Sequence, residues 1–151
     1  MREVMSFDTC NEETNMSLEW CRKYLDWFRT VLEDEKLRNA CLKYSVYALL
    51  DDNVELRKQF LKIFREAYDS GVVITEYYQV IEETKMSEAD IAAPTKDWID
   101  TLSDKQILAA IAWHFRRDHF NEGSLINNSV AKGHLLLLMQ GYIDKASGMD
   151  N

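Results

Sequence analysis

A single proline, Pro94, and five glycines are all that can interrupt a helix in this chain of 151 residues. So few breakers argue against a sandwich or barrel of short strands joined by tight turns, and favour long helices. Long apolar runs are missing too. The longest is Leu135 to Met139, far short of the roughly 20 residues that span a bilayer, so no transmembrane segment is expected. The three cysteines, Cys10, Cys21 and Cys41, fit neither a zinc ribbon nor a C-x-x-C redox motif. Their odd number suits reduced thiols in a cytoplasmic setting. The opening residues, with Glu3, Asp8, Glu12 and Glu13, lack the basic region and apolar core of a signal peptide. No phosphate-binding glycine loop, dinucleotide fingerprint or nucleophile elbow is present, which disfavours nucleotide-driven enzymes and α/β hydrolases.

What the chain does have is apolar residues at helical spacing. Leu18, Cys21, Leu25, Phe28 and Leu32 mark one stripe of a first helix, with Ser17 as its expected N-cap. Trp20, Tyr24 and Trp27 widen the stripe, so this helix is packed on two sides or offers an aromatic flank to a partner, a homodimer being one option. Acidic residues Glu33, Asp34 and Glu35 lead a second helix carrying Leu37, Cys41, Tyr44 and Ala48, favourably placed for its dipole. Asn53 is placed to cap a third, with Leu56, Phe60, Ile63, Phe64 and Ala67 on its stripe and Gly71 at its C-terminal stop.

Val72, Val73 and Ile74 are too few to make a sheet, and Thr75 is the expected cap of a helix over residues 76–83. A helical turn at Ser87–Ile91 precedes Pro94, and residues beyond it read as a loop anchored by Trp98, Ile99 and Leu102. Ser103 and Gln106 form a capping box before a central helix whose apolar face is Ile107, Ala110, Ile111 and Phe115. A short segment from Ser124 to Ala131 leads to a last, leucine-rich helix with Leu135, Leu136, Leu138, Met139 and Tyr142. The expectation is an all-α, or nearly all-α, fold: one compact domain of about six to eight helices over 17–146, after a loosely held terminus at 1–16 and before a frayed tail at 147–151.

The net charge of −8 is uneven. The surplus of acids lies in the first 100 residues and is densest where Glu76, Glu82, Glu83, Glu88, Asp90, Asp97 and Asp100 face only Lys85 and Lys96. Such a stretch repels phosphate backbones and attracts basic surfaces. Glu76, Glu82, Glu83, Glu88 and Asp90 are the candidate partner-binding residues. They suggest a non-enzymatic protein of bacterial or phage type that regulates or inhibits a nucleic-acid-handling partner by occupying its basic surface. Neighbouring acids such as Glu82 and Glu83 point about 100° apart on a helix, so they do not converge as a catalytic pair would.

The densest polar cluster is Arg116-Arg117-Asp118-His119-Phe120-Asn121-Glu122-Gly123. Arg116, Asp118, Phe120, Glu122 and Gly123, followed by Lys132-Gly133 and the leucine-rich helix, resemble the carboxy-terminal R-x-D-x-F-x-x-G signature of a bacterial family of small proteins known as a domain of unknown function. Tyr68 to Ile74 is similar to that family's middle section. The resemblance spans roughly residues 60–143 and implies a mostly helical fold, with no activity established for the family. His119 stands where the family carries arginine, so a permanent positive charge is missing there. The structural explanation of the cluster is that cations favour a helix's last turn and Asp118 pairs with an arginine. The functional alternative is an anion or nucleic-acid site made by Arg116, Arg117, His119 and Lys132, with Trp113 or Phe120 nearby.

His114, His119 and His134 lack the i, i+4 spacing of a helical zinc site. No metal and no cofactor is expected. His119 with Glu122 makes a weak acid–base pair, and Cys21 and Cys41 sit on apolar stripes where cysteine acts as a small hydrophobe. No catalytic residue is therefore assigned.

Overall fold

The first helix of the chain begins far upstream of Ser17. In the computed structural model, which describes residues 2–43, 54–118 and 129–148, α1 runs Arg2–Glu33. Side chains are described from Met16 to Leu42, from Val54 to Arg116 and from Ser129 to Ser147. Ser17 is not an N-cap. It is buried within α1, and its hydroxyl donates to the Ser70 carbonyl at 3.5 Å, tying α1 to the end of a later helix.

The remaining helices are α2 (Glu35–Lys43), α3 (Val54–Asp69), α4 (Tyr77–Glu83), α5 (Glu88–Ala92), α6 (Lys96–Asp100), α7 (Asp104–Asp118) and α8 (His134–Gly148). Residues 129–131 add one helical turn before α8. No strand occurs among the described residues, and the fold is all-α in a single domain. None of the described helices is long and apolar enough to cross a membrane. The expected continuation of α2 through Tyr44 and Ala48, and the Asn53 cap of α3, lie outside the described residues.

Local chemistry explains most of the boundaries. Asp34 starts α2 by accepting from the Leu37 amide at 3.0 Å. α3 ends at Gly71, whose φ of 83° lies in the left-handed region. There the Val72 amide returns to the Ala67 carbonyl and the Gly71 amide to that of Tyr68, the paired bonds of a Schellman motif. Thr75 does not cap α4. Its hydroxyl turns to the Glu76 carboxylate, and the helix starts at Tyr77 without a side-chain cap. Ser87 does cap α5, accepting from the Asp90 amide.

The expected loop after Pro94 is instead α6, because Thr95 accepts from the Trp98 amide at 3.2 Å and so nucleates a turn. Within it Ile99 is the buried anchor, with Leu102 just beyond, whereas Trp98 is only half-buried. The capping box before α7 forms in both directions: the Gln106 amide to Ser103 Oγ at 3.2 Å, and the Ser103 amide to Gln106 Oε1 at 2.8 Å.

α1, α7 and α8 make the centre, with α3 against α1, α4 against α7 and α6 against α8. α7 has no single apolar face. Ile107, Ala109, Ala110, Ile111 and Ala112 are all fully buried, so neighbours cover it all round. Its alanines permit that approach, since packed helices lie closer where side chains are small. The aromatic flank of α1 is spent inside the molecule. Trp20 meets Tyr24, Phe28 and Phe115 edge-on, Trp27 meets Phe28 and Phe60, and Phe64 completes a chain of rings to Phe115. Both indole N–H groups are satisfied, Trp20 by the Ile63 carbonyl and Trp27 by Gln59 Oε1. The aromatic rationale for a homodimer contact on this helix therefore falls away.

α8 reaches Gly148, into the expected frayed tail, whose last residues lie outside the described ones. Ala146 is 6% exposed, Arg22 donates to Ser147 Oγ at 2.6 Å, and Lys145 Nζ donates to the Asp100 carbonyl at 3.0 Å.

Candidate functional site

The five acidic candidates sit on α4, α5 and their approaches, and all are exposed. α4 turns its buried Val80 and Ile81 inward, which leaves Glu82 and Glu83 on the outer side. A sharp reversal then delivers α5. The Met86 amide returns to the Ile81 carbonyl and the Lys85 amide to that of Glu82, a second Schellman motif, here with Lys85 rather than glycine at a φ of 56°.

The reversal brings Glu82 and Glu88 from different helices to one side chain, Tyr78. The Glu82 carboxylate beside it, and then its hydrogen bond with Glu82, raise the Tyr78 phenol above its ordinary range, and Glu88 adds to this. Tyr78 is 56% exposed, so an aromatic ring stands in solvent with Glu82 bonded to it and the charge of Glu88 acting on it. Glu83 faces elsewhere, accepting from Gln79 at 3.0 Å, and Glu76 lies at the opposite end of α4 beside Thr75. Asp90 occupies the first turn of α5. Glu82 and Glu88 thus both act on Tyr78, while Glu76 and Glu83 have other neighbours. None of the five forms an ion pair among the described residues. Tyr78 escaped sequence reasoning, although its position four residues before Glu82 was a usable signal.

The cationic candidates are less well gathered. Arg116 is exposed near the end of α7, and Lys132 is exposed in the turn before Gly133. The Arg117 and Asp118 side chains, and His119, Phe120, Glu122 and Gly123, lie outside the described residues. Lys132 does act on His134, holding its imidazole below the ordinary range after burial has done most of the lowering.

A buried polar pair was not anticipated. His114, 3% exposed, bonds through Nε2 to the Ile91 carbonyl at 2.8 Å and through Nδ1 to Ser129 Oγ at 2.7 Å. A carbonyl only accepts, so Nε2 carries the proton and Nδ1 accepts from the serine hydroxyl. Burial pushes the imidazole down to about 4. It is therefore neutral at pH 7 and a feeble base, and Ser129 is itself 7% exposed. A histidine–serine pair sealed in this way is a lock between segments rather than a nucleophile with its base.

A surface groove of about 330 Å³ lies between α1 and the end of α3, with Trp20, Lys23 and Glu66 in its lining. Two of its polar groups are already paired: Lys23 Nζ donates to Glu66 Oε1 at 2.9 Å, and neighbouring Tyr24 donates to Glu66 Oε2. These two bonds, that from Tyr24 first, hold the Glu66 carboxyl below its usual range. The Cys21 and Cys41 thiols are pushed up to about 12 by burial, so neither is an available thiolate. No group of three potential ligands gathers as a metal site among the described residues.

No protein-family model matches this chain, and comparison with curated proteins and with solved structures gives no match either.

Proposed function

We propose that this chain is a non-enzymatic, acidic helical interaction protein of the cytoplasm. In this reading the α4–α5 segment covers a basic, nucleic-acid-binding surface of a partner protein, as a bacterial or phage regulator or inhibitor would. The observation that carries the reading is that the charges of Glu82 and Glu88, from two helices, both act on exposed Tyr78, with no cation paired to either among the described residues. Unpaired carboxylates steer a basic partner and set the register of docking. A tyrosine supplies the contact area and hydrogen-bonding tip that dominate many interfaces. The tight reversal at Lys85 holds the two carboxylates in place beforehand, so little ordering is lost on binding.

The test is capture of partners from nuclease-treated lysate with the native chain, with Glu82→Lys/Glu88→Lys and with Tyr78→Ala. A stoichiometric basic partner that is lost with the charge reversal, weakened by Tyr78→Ala and displaced by a DNA oligonucleotide supports the reading. No basic partner with the native chain, or one that the charge-reversed chain retains, overturns it and moves attention to an anion site around Arg116 and Lys132.

A further inference from the structure

We infer that His114 is an acid-sensitive latch whose protonation releases the 129–133 turn from α7 while leaving α5 attached. Three separate segments meet at this imidazole: α7 supplies the ring, α5 the Ile91 carbonyl and the turn before α8 the Ser129 hydroxyl. The two bonds respond differently to a second ring proton. Nε2–H donates to Ile91 in either state, and a cationic ring donates more strongly. At Nδ1 the new proton points at the Ser129 oxygen, whose own hydrogen already occupies the space between them. The serine must turn its hydrogen away and find another acceptor, or move. Proton uptake is thus felt on the Ser129 side.

The surroundings make the charged ring costly. The edge of Trp113 stands 5.0 Å away between ring centres, and His134 on α8 lies at 6.2 Å. Among the described residues His134 is the charged neighbour that acts on the ring, and it is itself protonated as pH falls. The charged residues of α5, Glu88 and Asp90, are exposed, as are Lys132 in the turn and Arg116 on α7. None of these supplies a carboxylate to the imidazolium.

The turn is also suited to let go. It is a three-residue helical piece closed by the Gly133 amide on the Val130 carbonyl, with Gly133 at a φ of 79°. Releasing it wets the small residues Ser129, Ala131 and Gly133 together with Val130, whereas releasing α5 would wet Ile91 and break a bond that protonation strengthens.

The experiment is amide hydrogen exchange on the full chain at pH 7 and pH 5, corrected for intrinsic rates, beside a histidine ring titration by nitrogen-detected NMR. Protection of the Gly133 amide is expected to fall at least tenfold at pH 5 and to lie at least tenfold below that of the Ile91 amide and of the slowest α1 amides, whose own loss follows global stability. The His114 ring is expected to show the Nε2–H tautomer at pH 7, and His114→Gln to abolish the change at Gly133. An undiminished Gly133 amide, a Gly133 amide that at pH 5 stays as protected as the slowest α1 amides, or an Nδ1–H tautomer overturns the latch. If His114→Gln does not fold, the tautomer and the Gly133-against-Ile91 contrast in the native chain decide alone.

Discussion

Gly71 and Lys85 occupy equivalent places in two Schellman motifs, with φ of 83° and 56°. Glycine adopts this conformation freely, whereas an L side chain there costs about 1 kcal/mol or slightly more. A Cβ on Gly71 would meet nothing nearer than Ser17 Oγ at 3.9 Å, so the penalty at that position is backbone strain alone. Lys85→Gly is expected to raise unfolding free energy by about 1 kcal/mol and Gly71→Ala to lower it by a similar amount, both read from urea midpoints. At His114 the consequence is a dependence on pH. Its folded value of about 4 lies below the ordinary 6.5, so the unfolded chain binds the proton first as acid is added. The stability is therefore whole above pH 6.5 and declines as pH falls towards 4, by roughly 3 kcal/mol in full. Urea titrations at pH 7 and pH 5 are expected to differ by about 2 kcal/mol from this group, and His114→Gln to flatten the difference.

At the scale of elements, caps decide where helices start. The reciprocal bonds between Ser103 and Gln106 satisfy two amides that the first turn of α7 leaves open. Ser103→Ala is expected to lower stability by about 1 kcal/mol, and the loss in a Gln106→Ala background to be smaller because the two bonds form one unit. This box was legible in the sequence, as were Gly71 and the α3 stripe of Leu56, Phe60, Ile63 and Ala67. Each needs only neighbours within a turn or two. The α6 helix was not read, because its start rests on one threonine hydroxyl and its span of five residues is too short to show a period. Ser17 misled for the opposite reason. A serine before an apolar stripe looks like a cap, but the Ser70 carbonyl, just past the end of α3, accepts the hydrogen bond from its hydroxyl.

At the scale of the molecule, helices are held where side chains let backbones meet. A Cβ on Gly141 of α8 would come within 2.4 Å of Ile99 Cγ2 on α6. Gly141→Ala is expected to destabilise by about 1–3 kcal/mol through overpacking, measured by thermal melting. Ile99→Ala removes the opposing methyl, so the second substitution should cost less in that background than alone. Composition, periodicity and short-range caps determined that this chain is helical, where most helices lie, and which residues form their apolar stripes, since those features depend on neighbours a few positions apart. The tertiary structure alone decided that Trp20 and Tyr24 of α1 face inward, that α7 is covered all round, that Glu82 and Glu88 share Tyr78, and that Ile91, His114 and Ser129 meet. Each of these joins residues from different helices, and contacts of that kind are set by packing geometry, which no local pattern records.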